Sequence, residues 1–250
     1  MLQQTQTTRV LGPWRAFLDR FPTPETCARA PLDEVLRLWT GLGYPRRARN
    51  LWCCAREITE HFDGRVPESS DALRSLPGIG AYTAAAVRSF AFDQRIAVLD
   101  TNVGRVLARC VANRRLSSAE ATVLAHELLP RNEVATFNQA MLDLGAQFCR
   151  ARPRCDDCLL VRVCRWRREG GEDPAPRSAG VSRAQTPFVG SRRQLRGQLL
   201  KALRDQPSSL TTLRRRVDDS FVLDVRRVLD ELAHEGLIER RGARWQLAQH

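Results

Sequence analysis

The sequence predicts an all-α main body up to residue 168, followed by a small module of three helices and a β-hairpin. Three observations carry that prediction. Up to residue 168, apolar residues recur at helical spacing behind cap-type residues, and strand-like alternation is nearly absent. Residues 169–191, EGGEDPAPRSAGVSRAQTPFVGS, break the pattern with Gly, Pro, Ser and Ala, as an interdomain linker does. From Arg192 the helical pattern resumes and runs into the alternating stretch LIERRGARWQLA.

Taken in order, TPETCARAPLDEVLRLW opens on cap-type residues and then keeps a helical apolar spacing. SSDALRSL, YTAAAVRSFAF, TNVGRVLARCVA, SSAEATVLAHELL and VATFNQAMLDLGAQFC behave in the same way, with Gly and Pro marking the short loops between them. In residues 192–250, RRQLRGQLLKALRD, SLTTLRRRVD and VLDVRRVLDELAHEGLIER give three helices ahead of the hairpin. That order is the outline of a winged helix-turn-helix, whose third helix normally enters the major groove. A small packing or protein-contact module has the same outline.

Composition narrows the partners. With 250 residues and 43% of them hydrophobic, the chain can bury a real core, which excludes wholesale disorder. No apolar run approaches the roughly 18 residues that span a bilayer, and no basic-then-apolar leader opens the chain. A soluble intracellular protein is therefore the expectation. A net charge of +12 favours a polyanion, because each neutralised phosphate releases counterions. An anionic membrane surface is the alternative, but no segment reads as a basic amphipathic anchor. All the basic residues but Lys201 are arginines.

Three stretches carry chemistry. In LPGIGAYTAAAV, Pro77 sets a turn, and Gly78 and Gly80 permit backbone geometry closed to other residues. The following helix then presents its first N–H groups and positive dipole end, which suits a phosphate; a tight helix–helix turn is the plainer reading. In IAVLDTNVGRVLAR, an apolar run ends at Asp100, ahead of Thr101, Asn102 and a helix, so Asp100 is an N-cap at least. Third, Cys149, Cys155, Cys158 and Cys164 follow a C-x5-C-x2-C-x5-C spacing. Four clustered thiolates point to a metal centre, zinc or a [4Fe–4S] cluster. The other four cysteines, Cys27, Cys53, Cys54 and Cys110, look scattered.

Together these stretches, with MLQQTQT, FPTPETCARAPLDEVLRLWTGLGYPRRARNL, VPESSDALRSLPGIGAYTAAAVRSFAF and FNQAMLDLGAQFC, resemble the helix-hairpin-helix/Gly-Pro-Asp DNA glycosylases that carry an iron–sulfur cluster. Within that superfamily the likeness is to the MutY-type adenine glycosylases, and it covers roughly residues 1–166. The resemblance implies a two-lobed all-α glycosylase domain over 1–168; the linker over 169–191 and the winged-helix-like domain over 192–250 rest on the residue pattern alone. It implies a monomeric base-excision-repair enzyme that acts on double-stranded DNA, releases adenine opposite 8-oxoguanine or guanine, and uses neither a membrane nor a nucleotide cofactor. By resemblance Asp100 stabilises the oxocarbenium-like sugar, Asn102 arranges the site, and Gln4 wedges into the duplex with Gln3 beside it. Gly78 and Gly80 hold a backbone phosphate, and the four clustered cysteines hold a [4Fe–4S] cluster in preference to zinc. Tyr82 stands where bifunctional relatives place a Schiff-base lysine. With no lysine before Lys201, the expectation is a monofunctional enzyme.

The sequence also departs from the family. The first Cys interval is one residue short, and Leu159 stands where a proline commonly follows the third Cys. The C-terminal region is too short and too helical for the MutT-like domain that many MutY proteins use to read 8-oxoguanine. The family's general acid is a Glu just upstream of the MLQQT segment. The start is therefore expected to be misplaced or truncated, and adenine excision to be impaired as the chain is written. Two rivals follow: a thymine glycosylase acting on T·G mismatches, and a non-catalytic iron–sulfur DNA-binding protein.

Overall fold

Most helix boundaries in this chain have a local cause in the residues beside them. A computed structural model describes residues 1–3, 5, 7–179, 181, 187–221 and 224–250. Helix α1 (Thr7–Arg20) is followed by α2 (Pro24–Arg29), where Thr23 and Thr26 cap each other reciprocally. The stretch TPETCARAPLDEVLRLW is two helices rather than one run. Ala30 is extended, and Pro31, which has no N–H to extend α2, opens α3 (Leu32–Leu38) instead. Then come α4 (Arg46–His61), α5 (Ser70–Ser75), α6 (Ala81–Phe90) and α7 (Thr101–Val106). Helix α7 widens into a π-helical segment, Leu107–Ala112, ended by Asn113 in the left-handed region. A reciprocal Ser117–Glu120 cap starts α8 (Ser118–Glu127); α9 (Val134–Gln147) and α10 (Arg165–Glu169) complete the main body.

The C-terminal residues form α11 (Arg192–Asp205), β1 (Ser208–Ser209), α12 (Leu210–Arg214), α13 (Val225–His234), β2 (Ile238–Arg241) and β3 (Arg244–Leu247). The predicted hairpin is present, with Ile238 opposite Leu247 and Arg240 opposite Trp245. A third strand joins it: β1 pairs antiparallel with β3, giving the order β1-β3-β2. Two residues are too few to show alternation, so β1 leaves no signal in the sequence.

The chain divides into two compact units. One comprises Met1–Pro67, Leu76–Gly78 and Thr186–His250; the other comprises Glu68–Ser75 and Ile79–Gln185. In the first unit, the N-terminal helices and the winged module share one apolar core. Leu32, Val35 and Trp52 belong to the same cluster as Leu199, Val228, Leu232 and Trp245. Backbone joins them too, since Leu32 N–H donates to the Gln249 carbonyl at 3.4 Å. The second unit is built on Val103, Leu107, Leu116, Ala121 and Ala125. The start of the 169–191 stretch is anchored there: Ala175 and Ser178 are buried, and Ala179 N–H donates to Leu116 O at 2.9 Å. Among the described residues, no helix is long and apolar enough to cross a membrane.

A shared core makes the winged module part of the stability of α3 and α4. Leu232→Ala, at a fully buried position, should cost about 2–5 kcal/mol in denaturant unfolding. Amide hydrogen exchange should then quicken in α3 and α4 as well as in α11–α13.

Candidate active site and cysteine pocket

Asp100 stands at the end of an extended segment, and buried polar groups hold that segment in place. Asn138 on α9 accepts from Val98 N–H at 3.2 Å and donates to Ile96 O at 2.8 Å and to Ser89 Oγ on α6 at 2.9 Å. Asn138 and Ser89 are both buried, so these bonds lock the approach to α7 from two helices at once. Asp100 then caps α7. Its Oδ1 accepts from Asn102 N–H at 2.7 Å and Val103 N–H at 2.8 Å, and its Oδ2 accepts from the Asn102 side-chain amide at 2.9 Å. The N-cap role is real, and it also fixes which way the carboxylate points.

Asn102 is fixed in turn. Its Oδ1 accepts from Arg105 Nη2 at 2.6 Å; the same guanidinium donates to Gly145 O at 2.9 Å and, through Nε, to Cys149 O at 2.6 Å. An unbroken hydrogen-bonded chain therefore runs from Asp100 through Asn102 and Arg105 to the first residue of the cysteine cluster. Helix α9 comes close enough because position 145 is glycine: a Cβ there would sit 2.5 Å from the Asn102 carbonyl oxygen. Tyr82, in the first turn of α6, is within electrostatic reach of Asp100. Burial and that neighbouring charge both hold its phenol above the usual range, so the hydroxyl is neutral.

The hairpin glycines differ in what they do. Gly78 has φ +79°, and a Cβ on it would meet Asn50 at 2.8 Å, so no other residue fits without a shift. Gly80 is the N-cap of α6 and makes no side-chain cap bond, and a Cβ on Gly80 would find nothing within 4 Å. Within the other unit, Arg47 ties down the start of the chain. It donates to Met1 O at 2.9 Å, to Thr5 Oγ1 at 2.8 Å, to Leu42 O at 3.0 Å and to the Gln3 carbonyl. It also lies over the rings of Trp39 and Tyr44. Gln3 is exposed; Gln4 lies outside the described residues.

Cys149, Cys155, Cys158 and Cys164 line one pocket with Leu144, Phe148, Leu160, Val161 and Trp166. Cys110, which looks scattered in the sequence, lines it too, because the π-helical segment carries it there beside Arg109. Burial pushes the Cys110 thiol up to about 12, with the neighbouring Cys164 adding to the shift. Arg109 is 1% exposed. It donates to Cys149 Sγ at 3.5 Å, to Arg150 O at 2.6 Å, to Ala151 O at 3.2 Å and to both oxygens of Asp173, at 2.8 and 2.6 Å. These bonds pin the shortened first interval, which Arg154 N–H closes onto Phe148 O at 2.9 Å. Leu159 is 82% exposed, so its replacement of a proline disturbs no packing. Among the described residues, no group of three His, Cys, Asp or Glu side chains is placed to hold a single metal ion. The donor set of four thiols with a guanidinium at Cys149 fits an iron–sulfur cluster, whose sulfurs take hydrogen bonds from the protein.

Sequence reasoning missed Arg47, Arg105, Arg109, Asn138, Gly145 and Cys110. Only Arg105 had a usable signal: three residues after Asn102, it falls on the same helix face.

A family model for "HhH-GPD superfamily base excision DNA repair protein" matches residues 1–131. An adenine DNA glycosylase of Mycolicibacterium smegmatis is 43% identical over 247 residues, covering 96% of this chain and 82% of the relative. One from Mycobacterium tuberculosis is 41% identical over 249 residues, covering 96% and 80%. The human adenine DNA glycosylase is 38% identical over 189 residues, covering 73% of this chain and 35% of the relative. Among solved structures, a thermostable thymine-DNA glycosylase has TM-score 0.61 and 29% identity, over 67% of this chain and 80% of that one. An endonuclease III trapped as a covalent intermediate with DNA has TM-score 0.60 and 27% identity, over the same shares.

The close approach at Gly145 gives a direct test of the hydrogen-bonded chain. Gly145→Ala should push α9 off α7, break the Arg105 bond to residue 145 and cost about 1–3 kcal/mol in thermal unfolding.

Proposed function

Because the chain belongs to the HhH-GPD superfamily of base excision DNA repair proteins, we propose that it is a monofunctional adenine DNA glycosylase. Its substrate is adenine mispaired with 8-oxoguanine or guanine in double-stranded DNA. The observation that carries the reading is the orientation of Asp100, whose carboxylate is held by three N–H donors at the head of α7. An extrahelical base must first leave the stack. Cleaving its N-glycosidic bond then builds positive charge at C1′, which a fixed carboxylate stabilises in place, without reorganisation.

Each other group has a part consistent with its geometry. Asn102 sets the direction of Asp100 Oδ2, and Arg105 sets Asn102. Gly78 shapes the hairpin, and the first N–H groups of α6, at Gly80, hold a backbone phosphate. Gln4 enters the duplex with Gln3 beside it. Tyr82 has a neutral phenol and no amine, so water alone attacks the sugar and the strand is left uncut. Cys149, Cys155, Cys158 and Cys164 would hold a [4Fe–4S] cluster, which when bound supplies a cross-link to the cysteine loop. Adenine rather than thymine rests on the mycobacterial relatives, which match nearly the whole chain at the higher identity. The chain would act as a monomer in the bacterial cytoplasm.

Single-turnover excision on A·8-oxoguanine and T·G duplexes tests the substrate; adenine release is expected, and thymine release alone would refute the assignment. Asp100→Asn keeps a good N-cap and removes only the charge. It should slow excision by about 10²–10³-fold with DNA binding retained. Borohydride should trap no protein–DNA adduct. Anaerobically purified protein should contain iron and acid-labile sulfide in equal amounts, whereas stoichiometric zinc would contradict the cluster.

A further inference from the structure

The winged module carries clustered like charge in two places. At the wing tip, Arg241 and Arg244 are direct cross-strand partners, and like charges so placed repel. Arg240 stands beside them, its Nε turned onto Gly242 O at 2.9 Å. Glu239 pairs with Arg241 at 3.0 Å and accepts from Gln246 Nε2 at 2.6 Å, Arg241 also donates to Gln249 Oε1 at 3.1 Å, and the Arg244 side chain has no partner among the described residues. The second place is the end of α12, where Arg214, Arg215 and Arg216 are consecutive and exposed between buried Leu213 and Val217. None of the three has an ion-pair partner among the described residues; Asp218 faces the amides of Gln194 and Gln198 instead. The two places are close. Arg244 pairs with Ser209, the N-cap of α12, so only a five-residue helix, roughly 7 Å long, separates wing from turn.

Helix α13, which a winged helix-turn-helix would put in the major groove, has the opposite character. Arg226 and Arg227 are spent on Asp230 and Glu231 one turn later, at 3.2 and 3.6 Å. Glu231 also takes Arg192, and Glu235 takes Arg196 at 2.6 Å. Counted with its caps, the helix carries four carboxylates, Asp224, Asp230, Glu231 and Glu235, against the two guanidiniums of Arg226 and Arg227, which makes it a poor fit to a polyanion.

Resting on the reading that the partner is DNA, we propose that the module grips the duplex backbone with its wing and the Arg214–Arg216 turn, leaving α13 out of the groove. The grip is independent of sequence, since phosphate contacts position a protein and carry no base information.

The test uses the full chain and an undamaged duplex over a range of salt. Replacing the three wing arginines, or the three turn arginines, by glutamine should weaken binding about tenfold or more. The salt dependence should flatten as well, by about 0.9 in log–log slope for each phosphate no longer neutralised. The matching lysine triples keep the charge and should restore binding. Arg226→Gln with Arg227→Gln should change affinity by less than about twofold. Wild-type affinity and slope in the wing and turn glutamine variants would overturn the proposal, as would an equal loss from the α13 pair. Capture of an acidic protein by the arginine surface without any DNA effect would overturn it as well. The binding measurement decides this proposal whether or not the chain releases a base; base release alone decides the glycosylase reading.

Discussion

A guanidinium stays charged at any working pH, so burying one obliges the fold to supply acceptors around it. Arg105 is 8% exposed, and its acceptors come from three segments: Asn102 on α7, Gly145 on α9 and Cys149 at the mouth of the cysteine loop. Much of the second unit follows from that requirement. α9 must come within hydrogen-bond reach of α7, which is why position 145 has no side chain, and the cysteine loop must begin beside the same helix. The direction of Asp100 is then inherited, one hydrogen bond at a time, from a backbone carbonyl in the cysteine loop.

Arg109 repeats the arrangement a little further along. Arg109 and Cys110, consecutive on the π-helical segment Leu107–Ala112, both line the cysteine pocket. Arg109 then organises the shortened Cys interval through Arg150 and Ala151, and takes Asp173 from the stretch beyond α10 as its counter-ion. The missing residue is therefore absorbed by arginine bonds to backbone. Burial raises the Cys149 thiol while Arg109 opposes that shift, an environment that moderates the cost of forming a thiolate there.

The parts legible in the sequence were those with local signals. Capping residues, the helical periodicity, the Pro-Gly hairpin, the cysteine spacing and the alternating terminal strands all act within a few residues of themselves. The break at Ala30–Pro31 was legible as well, since Pro31 forbids continuation, but the apolar spacing runs through it. What stayed hidden was non-local. Arg109 looks like any of the many arginines until Arg150 O, Ala151 O and Asp173 surround it, and Arg105 shows only its spacing from Asn102 until Gly145 and Cys149 supply their carbonyls. Strand β1 is a pairing partner of β3 rather than a pattern. Residues 173–179 have linker composition, yet Asp173 and Ser178 are fastened to Arg109 and Leu116 through bonds that only the folded second unit creates. The winged module is equally non-local: its outline is visible, but its shared core with α2–α4 is a fact of packing.

Asp100, the buried Arg105 and the cysteine loop thus form one hydrogen-bonded unit. Arg105→Lys probes that unit directly, because an ammonium keeps the charge but cannot span Asn102, Gly145 and Cys149 together. Single-turnover adenine excision at saturating DNA is the measurement, made on protein shown to be folded. The expected result is a loss of about 10²-fold, the cost of a reacting group displaced by roughly 1 Å, with binding to undamaged DNA unchanged. An undiminished excision rate in that variant would contradict the linkage between Arg105 and Asp100.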